Sequence, residues 1–304
     1  MNTAPILLPQ RVDLGDWTKR RPAQPDFLFD HGPVSKTLGG TIGEGGSGKS
    51  FLLYQLALSM AGGADLLDFG KMSSGPVTII TLEDSAEKLH RRLWNIIDHY
   101  QWKGEKWHWK SQERALENLS IYDGVGKEFA VENDFGLNWL YEVCAGQRLV
   151  IIDTLSRAHA LDENKAGEIK RVFRRLEAVA TETGPHIHFE HHNSKAARLF
   201  DNGGDNSGRG SSVIIDDSRW VMNVRNMHVS ENAFDEHGNK IPDSEKKLYC
   251  RAEITKNNDG QIGMIKWYKR PPKSGCLIPH DVKISEKGLD TADKKGKEKK
   301  NGAI

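Results

Sequence analysis

Short runs of apolar residues alternate along the chain with longer stretches in which apolar residues recur every three or four positions. The early runs are rich in Val, Ile and Leu and do not alternate cleanly, which is typical of parallel strands buried on both faces. The pattern predicts strands at Thr37–Ile42, Val77–Leu82, Leu119–Tyr122, Leu149–Asp153, His186–Glu190, Arg219–Val224, Leu248–Ile254 and Met264–Tyr268.

The stretches between the early strands have helical spacing, and they predict helices at Lys49–Met60, Glu87–Tyr100 and Glu168–Thr181. Alternation of strands and helices favours an α/β fold with a mostly parallel sheet that is flanked by helices. The later strands follow one another across turn residues such as Asn257–Gly260. This order predicts an antiparallel extension at the edge of the sheet.

The predicted domain covers residues 36–283, which is long enough to bury a sizeable core. Residues 1–35 contain five prolines and no sustained apolar periodicity, so we expect an N-terminal arm. Residues 284–304 are polar and rich in lysine, and this composition predicts a disordered tail.

Composition excludes several classes of protein. No apolar run is long enough to cross a membrane or to serve as a secretion signal, so we expect a cytoplasmic protein. The three cysteines, Cys144, Cys250 and Cys276, lack the spacing of a disulfide framework or a zinc ribbon. The 43 basic residues nearly balance the 42 acidic ones. Binding to nucleic acid remains open, because it requires a local basic surface rather than a net charge.

A phosphate-binding motif follows the first predicted strand. The segment matches G-x-x-x-x-G-K-[ST] between a strand and a helix, which is the expected context. Glycines allow successive backbone N–H groups to converge on phosphate oxygens, the lysine should lie between the terminal phosphates, and the serine should bind Mg²⁺. The sequence therefore predicts a site for ATP and Mg²⁺ formed by Gly43, Glu44, Gly45, Gly46, Ser47, Gly48, Lys49 and Ser50.

Two strands end in carboxylates that suit nucleotide hydrolysis. Asp153 ends an apolar strand and is the predicted second Mg²⁺ ligand, although an aspartate here could instead cap the next helix. Glu83 follows the second strand and is predicted to orient the attacking water, with Asp84 as the N-cap of the next helix. Small GTPases and adenylate-kinase-like enzymes lack this layout, in which the two acids follow different strands.

In the order of its motifs the sequence resembles the RecA-like hexameric helicases of the DnaB superfamily, and within them the RepA-type replicative helicases of IncQ-like plasmids. The resemblance covers about residues 36–270. Besides the phosphate-binding motif and the Asp153 strand, the shared elements are Thr81–Glu83, Glu190–His192, Arg209–Ser212 with the following Asp216, Arg219 and Trp220, and Lys256–Gly260.

This resemblance implies a RecA-like domain, a homohexameric ring, ATP hydrolysis at subunit interfaces and single-stranded DNA in the central channel. It also implies a role in plasmid or mobile-element replication, with a replication initiator or a primase as a further partner. His192 would sense the γ-phosphate, although a surface histidine is the simpler alternative. Asn258 stands where DnaB-like enzymes carry an arginine that reaches the neighbouring subunit. Arg219 is therefore expected to stabilise the transition state in the adjacent subunit, with Arg225 as the competitor by spacing.

Two further segments could contact nucleic acid. The predicted loop Asn193–Gly210 contains Lys195, Arg198 and Arg209 and follows the sensor strand, so it is expected to bind the DNA backbone. The aromatic and basic cluster Trp102–Lys110 could stack on bases, but packing at an edge of the domain is favoured.

The sequence thus predicts an ATP-dependent DNA helicase that translocates on single-stranded DNA. One alternative is a RecA-like DNA-dependent ATPase that acts in recombination or regulation without unwinding. The other is a nucleotide-gated replication adaptor, whose ATPase rate would not respond to DNA.

Overall fold

A computed structural model describes residues 11–12, 14–15, 17–103, 109–192, 209–272 and 274–285. Strands and helices alternate through the first two thirds of the chain. The strands are β1 (Leu38–Gly43), β2 (Val77–Thr81), β3 (Leu119–Asp123), β4 (Leu149–Asp153), β5 (His186–His192), β6 (Trp220–Asn226), β7 (Ala233–Phe234), β8 (Tyr249–Asn257), β9 (Ile265–Lys269), β10 (Ile278–Pro279) and β11 (Lys283–Ile284). The α-helices are α1 (Lys49–Gly62), α2 (Ala86–Lys103), α3 (Trp109–Asn118), α4 (Asp134–Cys144), α5 (Ala166–Thr183), α6 (Arg209–Asp217) and α7 (Asp243–Lys246).

One nine-stranded sheet organises the described residues, in the order β10-β9-β8-β6-β1-β5-β4-β2-β3. All pairings from β3 to β6 are parallel, whereas β8, β9 and β10 are added to β6 in antiparallel fashion. The prediction of a mostly parallel sheet with an antiparallel edge is confirmed. Strand β1 lies between β5 and β6, so its carboxyl end is at the centre of the sheet edge.

Helices cover both faces of this sheet. On β4, Leu149 and Ile151 pack into the apolar cluster that contains α1, while Val150 and Ile152 pack into the cluster that contains α5. Successive strand residues point to opposite faces, and both faces are dry, which explains why this strand is a continuous apolar run. The carboxyl edge of the parallel strands is therefore held rigidly from both sides.

Four helices were not predicted: α3, α4, α6 and the four-residue α7. Gly136 in the first turn of α4 disfavours a helix by itself, but the Asn133 side chain accepts a hydrogen bond from its backbone N–H at 2.6 Å and caps the helix. Helix α3 follows the aromatic and basic cluster, most of which lies outside the described residues, and packs against α1. Helix α6 begins at Arg209. The prediction that the loop extends to Gly210 is therefore wrong at the carboxyl end of the loop, where a short and largely polar stretch is helical.

Several predicted segments lie outside the described residues: residues 1–10, 193–208 and 286–304, and 104–108 within the aromatic and basic cluster. Within the segment predicted as an arm, Leu28 and Phe29 are buried, and the Phe29 ring stacks on Phe69 at 4.8 Å between centroids. Among the described helices, none combines the length and the apolar character needed to span a membrane.

Candidate nucleotide-binding site

The phosphate-binding motif connects the central strand β1 to α1. Gly46 and Gly48 have φ angles of 74° and 100°, a left-handed conformation that glycine adopts without strain. A side chain on Gly43 would come within 2.0 Å of the Val224 carbonyl oxygen, so only glycine fits beside β6. The loop therefore turns tightly into the N-terminus of α1, where backbone N–H groups favour an anion.

Lys49 is almost completely buried inside this loop, with 2 % of its surface exposed. Its Nζ donates hydrogen bonds to the Glu44 carbonyl oxygen at 2.9 Å and to His192 Nδ1 at 3.0 Å, and it lies 3.6 Å from Glu190 Oε1. Burial lowers the pKa of Lys49, and the nearby Glu190 carboxylate opposes that shift. The ammonium group is thus held in place by the chain itself.

Asp153 ends β4 and is also buried. Tyr54, one and a half turns into α1, donates a hydrogen bond of 2.5 Å from its hydroxyl to Asp153 Oδ2. Burial and the Glu190 carboxylate raise the pKa of Asp153 to about 7, while the Tyr54 hydrogen bond acts in the opposite direction. The helix that begins in the phosphate-binding loop therefore orients this carboxylate.

Glu83 and Asp84 follow β2 but have different environments. Glu83 is 42 % exposed, with Oε2 3.7 Å from His192 Nε2. Asp84 is buried and forms ion pairs with Lys88 and Arg92. The expectation that Asp84 caps the next helix is wrong, because Ser85 Oγ accepts the hydrogen bond from the Lys88 backbone N–H at 3.4 Å. Of the two acids, Glu83 is the one with a carboxylate accessible to water.

A cavity of about 360 Å³ lies at this edge of the sheet. It brings together residues that are far apart in sequence, from the phosphate-binding loop, α1, α2, β4, β5 and the segments after β2 and β9. The predicted site residues that line it are Gly46, Gly48, Lys49, Ser50, Glu83, Asp153 and His192.

Several lining or supporting residues were not predicted from the sequence as site residues, among them Tyr54, Arg92, Glu190 and Arg270. Asp84, Lys88 and Arg92 are spaced by four residues on a helical stretch, which is a sequence pattern that could have revealed the ion pairs. Arg270 has no comparable local pattern. It follows β9, and its guanidinium donates hydrogen bonds to the Gly46 carbonyl oxygen at 2.7 Å and to Asn226 Oδ1 at 2.6 Å. Only the antiparallel extension brings it to the loop.

Arg219 lies at the opposite edge of the sheet. Its backbone N–H bonds to the Leu38 carbonyl at the start of β1, whereas the phosphate-binding loop follows the end of that strand, about 16 Å away. The Arg219 side chain is 56 % exposed, and its Nε is 3.9 Å from Glu177 Oε1. The predicted strand start at Arg219 is one residue early, since β6 begins at Trp220.

The competitor Arg225 and Asn258, which stands in the usual arginine position, both have partners in their own chain. The Arg225 guanidinium forms two hydrogen bonds with the Glu231 carboxylate, at 3.0 and 2.8 Å, and lies over the Trp267 ring. The Asn258 backbone N–H bonds to the Arg219 carbonyl oxygen, so the turn after β8 lies beside Arg219.

The residues in the cavity fit Mg²⁺. Ser50 and Asp153 provide oxygen donors, and the buried Oε2 atom of Glu190 has no hydrogen-bond partner. Among the described residues, no group of three or more His, Cys, Asp or Glu side chains could hold a metal ion by itself. Mg²⁺ usually takes only one or two protein ligands and completes its coordination shell with phosphates and water, so Ser50 and Asp153 are enough.

A phosphate-binding loop on the central strand of this sheet, with acids at the carboxyl ends of β4 and β2, defines a RecA-like P-loop ATPase. The family model described as the AAA domain matches residues 3–198, more than half of the chain, and the chain belongs to this family.

Solved structures share the fold. The ATPase domain of G40P is 17 % identical, with a TM-score of 0.53, over 81 % of this chain and 85 % of that chain. The RadB recombinase is 15 % identical, with a TM-score of 0.50, over 79 % of this chain and 90 % of that chain. A DnaB-like replicative helicase, described with its interactions with primase, is 16 % identical with a TM-score of 0.54. That match covers 81 % of this chain but only 58 % of the helicase chain.

Proposed function

We propose that the protein is an ATP-dependent DNA helicase that assembles as a ring and translocates on single-stranded DNA during plasmid or mobile-element replication. One observation carries this proposal: the phosphate-binding cavity and the exposed Arg219 lie at opposite edges of the same sheet. Head-to-tail assembly with a closing rotation would bring Arg219 of one subunit towards the cavity of the next. The proposed ring contains six subunits.

In this proposal each side chain has a separate task. The loop from Gly43 to Ser50 binds the phosphates, and Lys49 neutralises their charge. Ser50 and Asp153 would hold Mg²⁺, which supplies positive charge to the phosphate oxygens. Glu83 orients the attacking water, and Arg219 of the neighbouring subunit stabilises the charge that builds on the γ-phosphate.

His192 is proposed to link hydrolysis to DNA. Its Nδ1 atom accepts a hydrogen bond from Lys49 Nζ, and its Nε2 atom lies near Glu83. A γ-phosphate bound at Lys49 would compete for that hydrogen bond, so phosphate loss could change the position of His192. The segment that begins at Asn193 follows it directly, which makes this segment the proposed DNA contact.

The first experiment measures the ATPase rate with and without single-stranded DNA, together with the native mass. We expect hydrolysis that DNA stimulates, an oligomeric ring, and ATP-dependent separation of a forked duplex. Lys49→Ala should abolish all hydrolysis while the assembly persists, which serves as the control for contaminating enzymes. A monomeric protein whose hydrolysis ignores DNA would contradict the proposal.

A second experiment tests the DNA contact. Replacing Lys195, Arg198 and Arg209 together by Ala should weaken binding to single-stranded DNA and flatten its salt dependence, because fewer counterions are released. The matched control removes three exposed lysines elsewhere, Lys71, Lys127 and Lys240, and should leave the salt slope unchanged. If the two triple variants have the same DNA affinity and salt slope, the DNA contact lies outside the loop. The segment Trp102–Lys110 is then tested next.

A RecA-like ATPase that binds DNA without unwinding it is the second candidate, because a recombinase shares the fold about as closely as the DnaB-like replicative helicase does. Failure to separate a forked duplex despite DNA-stimulated hydrolysis would favour it. A replication adaptor would bind nucleotide without any response to DNA. A replication initiator or a primase is a further proposed partner, supported by the primase interactions described for the DnaB-like helicase.

A further inference from the structure

We propose that Glu190 is a second acidic group on the metal side of the nucleotide site, and that it positions Ser50 and Lys49 for Mg²⁺-nucleotide. This inference rests on the proposed use of ATP and Mg²⁺, but it concerns a residue to which neither the motifs nor the proposed function gives a role.

The sheet register puts Glu190 beside Asp153. Strand β5 lies between β1 and β4, and Glu190 pairs with Thr41 on one side. On the other side Phe189 pairs with Ile152, so the next residue of each strand brings the two carboxylates to neighbouring positions. Side chains at matching positions of parallel strands share a face. Both acids therefore face α1, the helix that begins in the phosphate-binding loop.

Glu190 contacts the two loop side chains that matter most for phosphate and metal. Its carboxylate lies beside the Ser50 side chain, and its Oε1 atom is 3.6 Å from Lys49 Nζ. Only 1 % of the residue is exposed, and its Oε2 atom has no hydrogen-bond partner. A buried carboxylate is costly unless positive charge or hydrogen bonds compensate it. Lys49 offers one positive charge to a region that also contains Asp153.

The electrostatics agree with this geometry. Two acids that repel each other in a buried space favour a divalent cation next to them. The two predicted metal ligands would then have separate positioning partners, since Tyr54 bonds to Asp153 and Glu190 lies beside Ser50.

This role makes a prediction that a merely structural residue would not share. A second acid that serves the metal should matter only when Mg²⁺ is present. Without the metal, a negative charge near the phosphates repels them, so its removal should leave nucleotide affinity unchanged or increase it. Glu190→Gln preserves the shape and an oxygen acceptor beside Ser50 while removing the charge.

The experiment measures the affinity for a fluorescent ADP analogue in EDTA and across a Mg²⁺ titration, and counts bound Mn²⁺ by electron paramagnetic resonance. For Glu190→Gln we expect the midpoint of the Mg²⁺ titration to rise by about 10-fold or more, with weaker Mn²⁺ binding and no loss of affinity in EDTA. Glu190→Asp keeps the charge and should fall between this variant and the wild type. The exposed Glu128→Gln is the matched control and should behave as the wild type.

Two outcomes would overturn the inference: an unchanged Mg²⁺ midpoint in Glu190→Gln, or an equal loss of affinity with and without Mg²⁺. Circular dichroism and native mass establish that each variant folds. A wild-type protein that binds no nucleotide would overturn the proposed function and this inference with it. Wild-type binding with a normal Mg²⁺ midpoint in Glu190→Gln would overturn only the role of Glu190.

Discussion

The hydroxyl of Tyr54 donates a 2.5 Å hydrogen bond to Oδ2 of Asp153, and both residues are buried. Tyr54 belongs to α1, the helix that starts in the phosphate-binding loop after β1. Asp153 ends β4, which lies two strands from β1 in the sheet. This bond connects the element that would bind phosphate to the carboxylate that would bind the metal. It leads to a direct test of the metal side of the site.

Tyr54→Phe should raise the Mg²⁺ concentration needed for half-maximal ATPase activity by about 10-fold, because outer hydrogen bonds orient metal ligands. Nucleotide affinity in EDTA should not change. Tyr268→Phe is the matched control, since Tyr268 is also buried and donates one hydrogen bond, to the Leu67 carbonyl oxygen at 2.9 Å. Each variant should lose about 1 kcal/mol of unfolding free energy. The same Mg²⁺ dependence in both variants would show that the Tyr54 hydroxyl serves stability alone.

Glu83→Gln should bind ATP normally and hydrolyse it about 10²-fold more slowly, because the amide cannot take a proton from the attacking water. Single-turnover hydrolysis and nucleotide binding, measured on the same preparation, separate the two effects. Glu87→Gln removes an exposed carboxylate four residues away and should retain full activity. Near-normal turnover in Glu83→Gln would exclude Glu83 as the water-orienting group.

Arg219 should act in the neighbouring subunit, and mixing inactive variants tests this directly. Arg219→Ala and Lys49→Ala should each be inactive alone, since a missing guanidinium can cost about 10³-fold in the rate of phosphoryl transfer. In an equal mixture, about a quarter of the interfaces would pair an intact loop with an intact arginine, and hydrolysis should return in proportion.

Subunit exchange must be verified for this mixture by native mass spectrometry. If mixed rings form and remain inactive, Arg219 does not act in trans. Arg225→Ala, mixed in the same way, tests the competitor. We expect Arg225→Ala to hydrolyse ATP without a partner variant, because Arg225 forms two hydrogen bonds with Glu231 of its own chain and Arg219 remains intact.

The fold should lose stability below about pH 6.5, in part through His188. Burial lowers the pKa of His188 to about 3, so at pH 5 the histidine is neutral in the folded protein and protonated in the unfolded chain. Unfolding therefore takes up a proton, and the free energy of unfolding falls as the pH falls. His186 is buried beside it and adds to the effect in the same direction.

His188→Gln should reduce the slope of unfolding free energy against pH by about 1.4 kcal/mol per pH unit near pH 5. Urea titrations at pH 5 and pH 6 measure this slope whatever the overall stability of the variant. His237→Gln, at an exposed position, should leave the slope as it is. An unaltered slope in His188→Gln would mean that His188 does not titrate on unfolding.

Much of the fold was accessible from the sequence because its information is local. The apolar run at β4 and the helical repeat of α5 indicate their structures without any partner, and the parallel sheet follows from their alternation. Helix α6 escaped prediction because its polar stretch at Arg209–Ser212 is typical of a loop, and tertiary packing on α5 overrides that preference.

For the candidate site, the sequence by itself determined the phosphate-binding loop and the acids that end β2 and β4, because chain order puts them at one edge of a parallel sheet. Only the tertiary structure decided which side chains surround them. Tyr54 meets Asp153 across 99 positions, and Arg270 meets Gly46 across 224. Such contacts leave no periodic pattern or characteristic spacing in the sequence, because they depend on how the helices pack and on which strand joins the edge of the sheet. The same packing buries Asp84 while Glu83 stays exposed, a difference that two adjacent acids do not reveal in sequence.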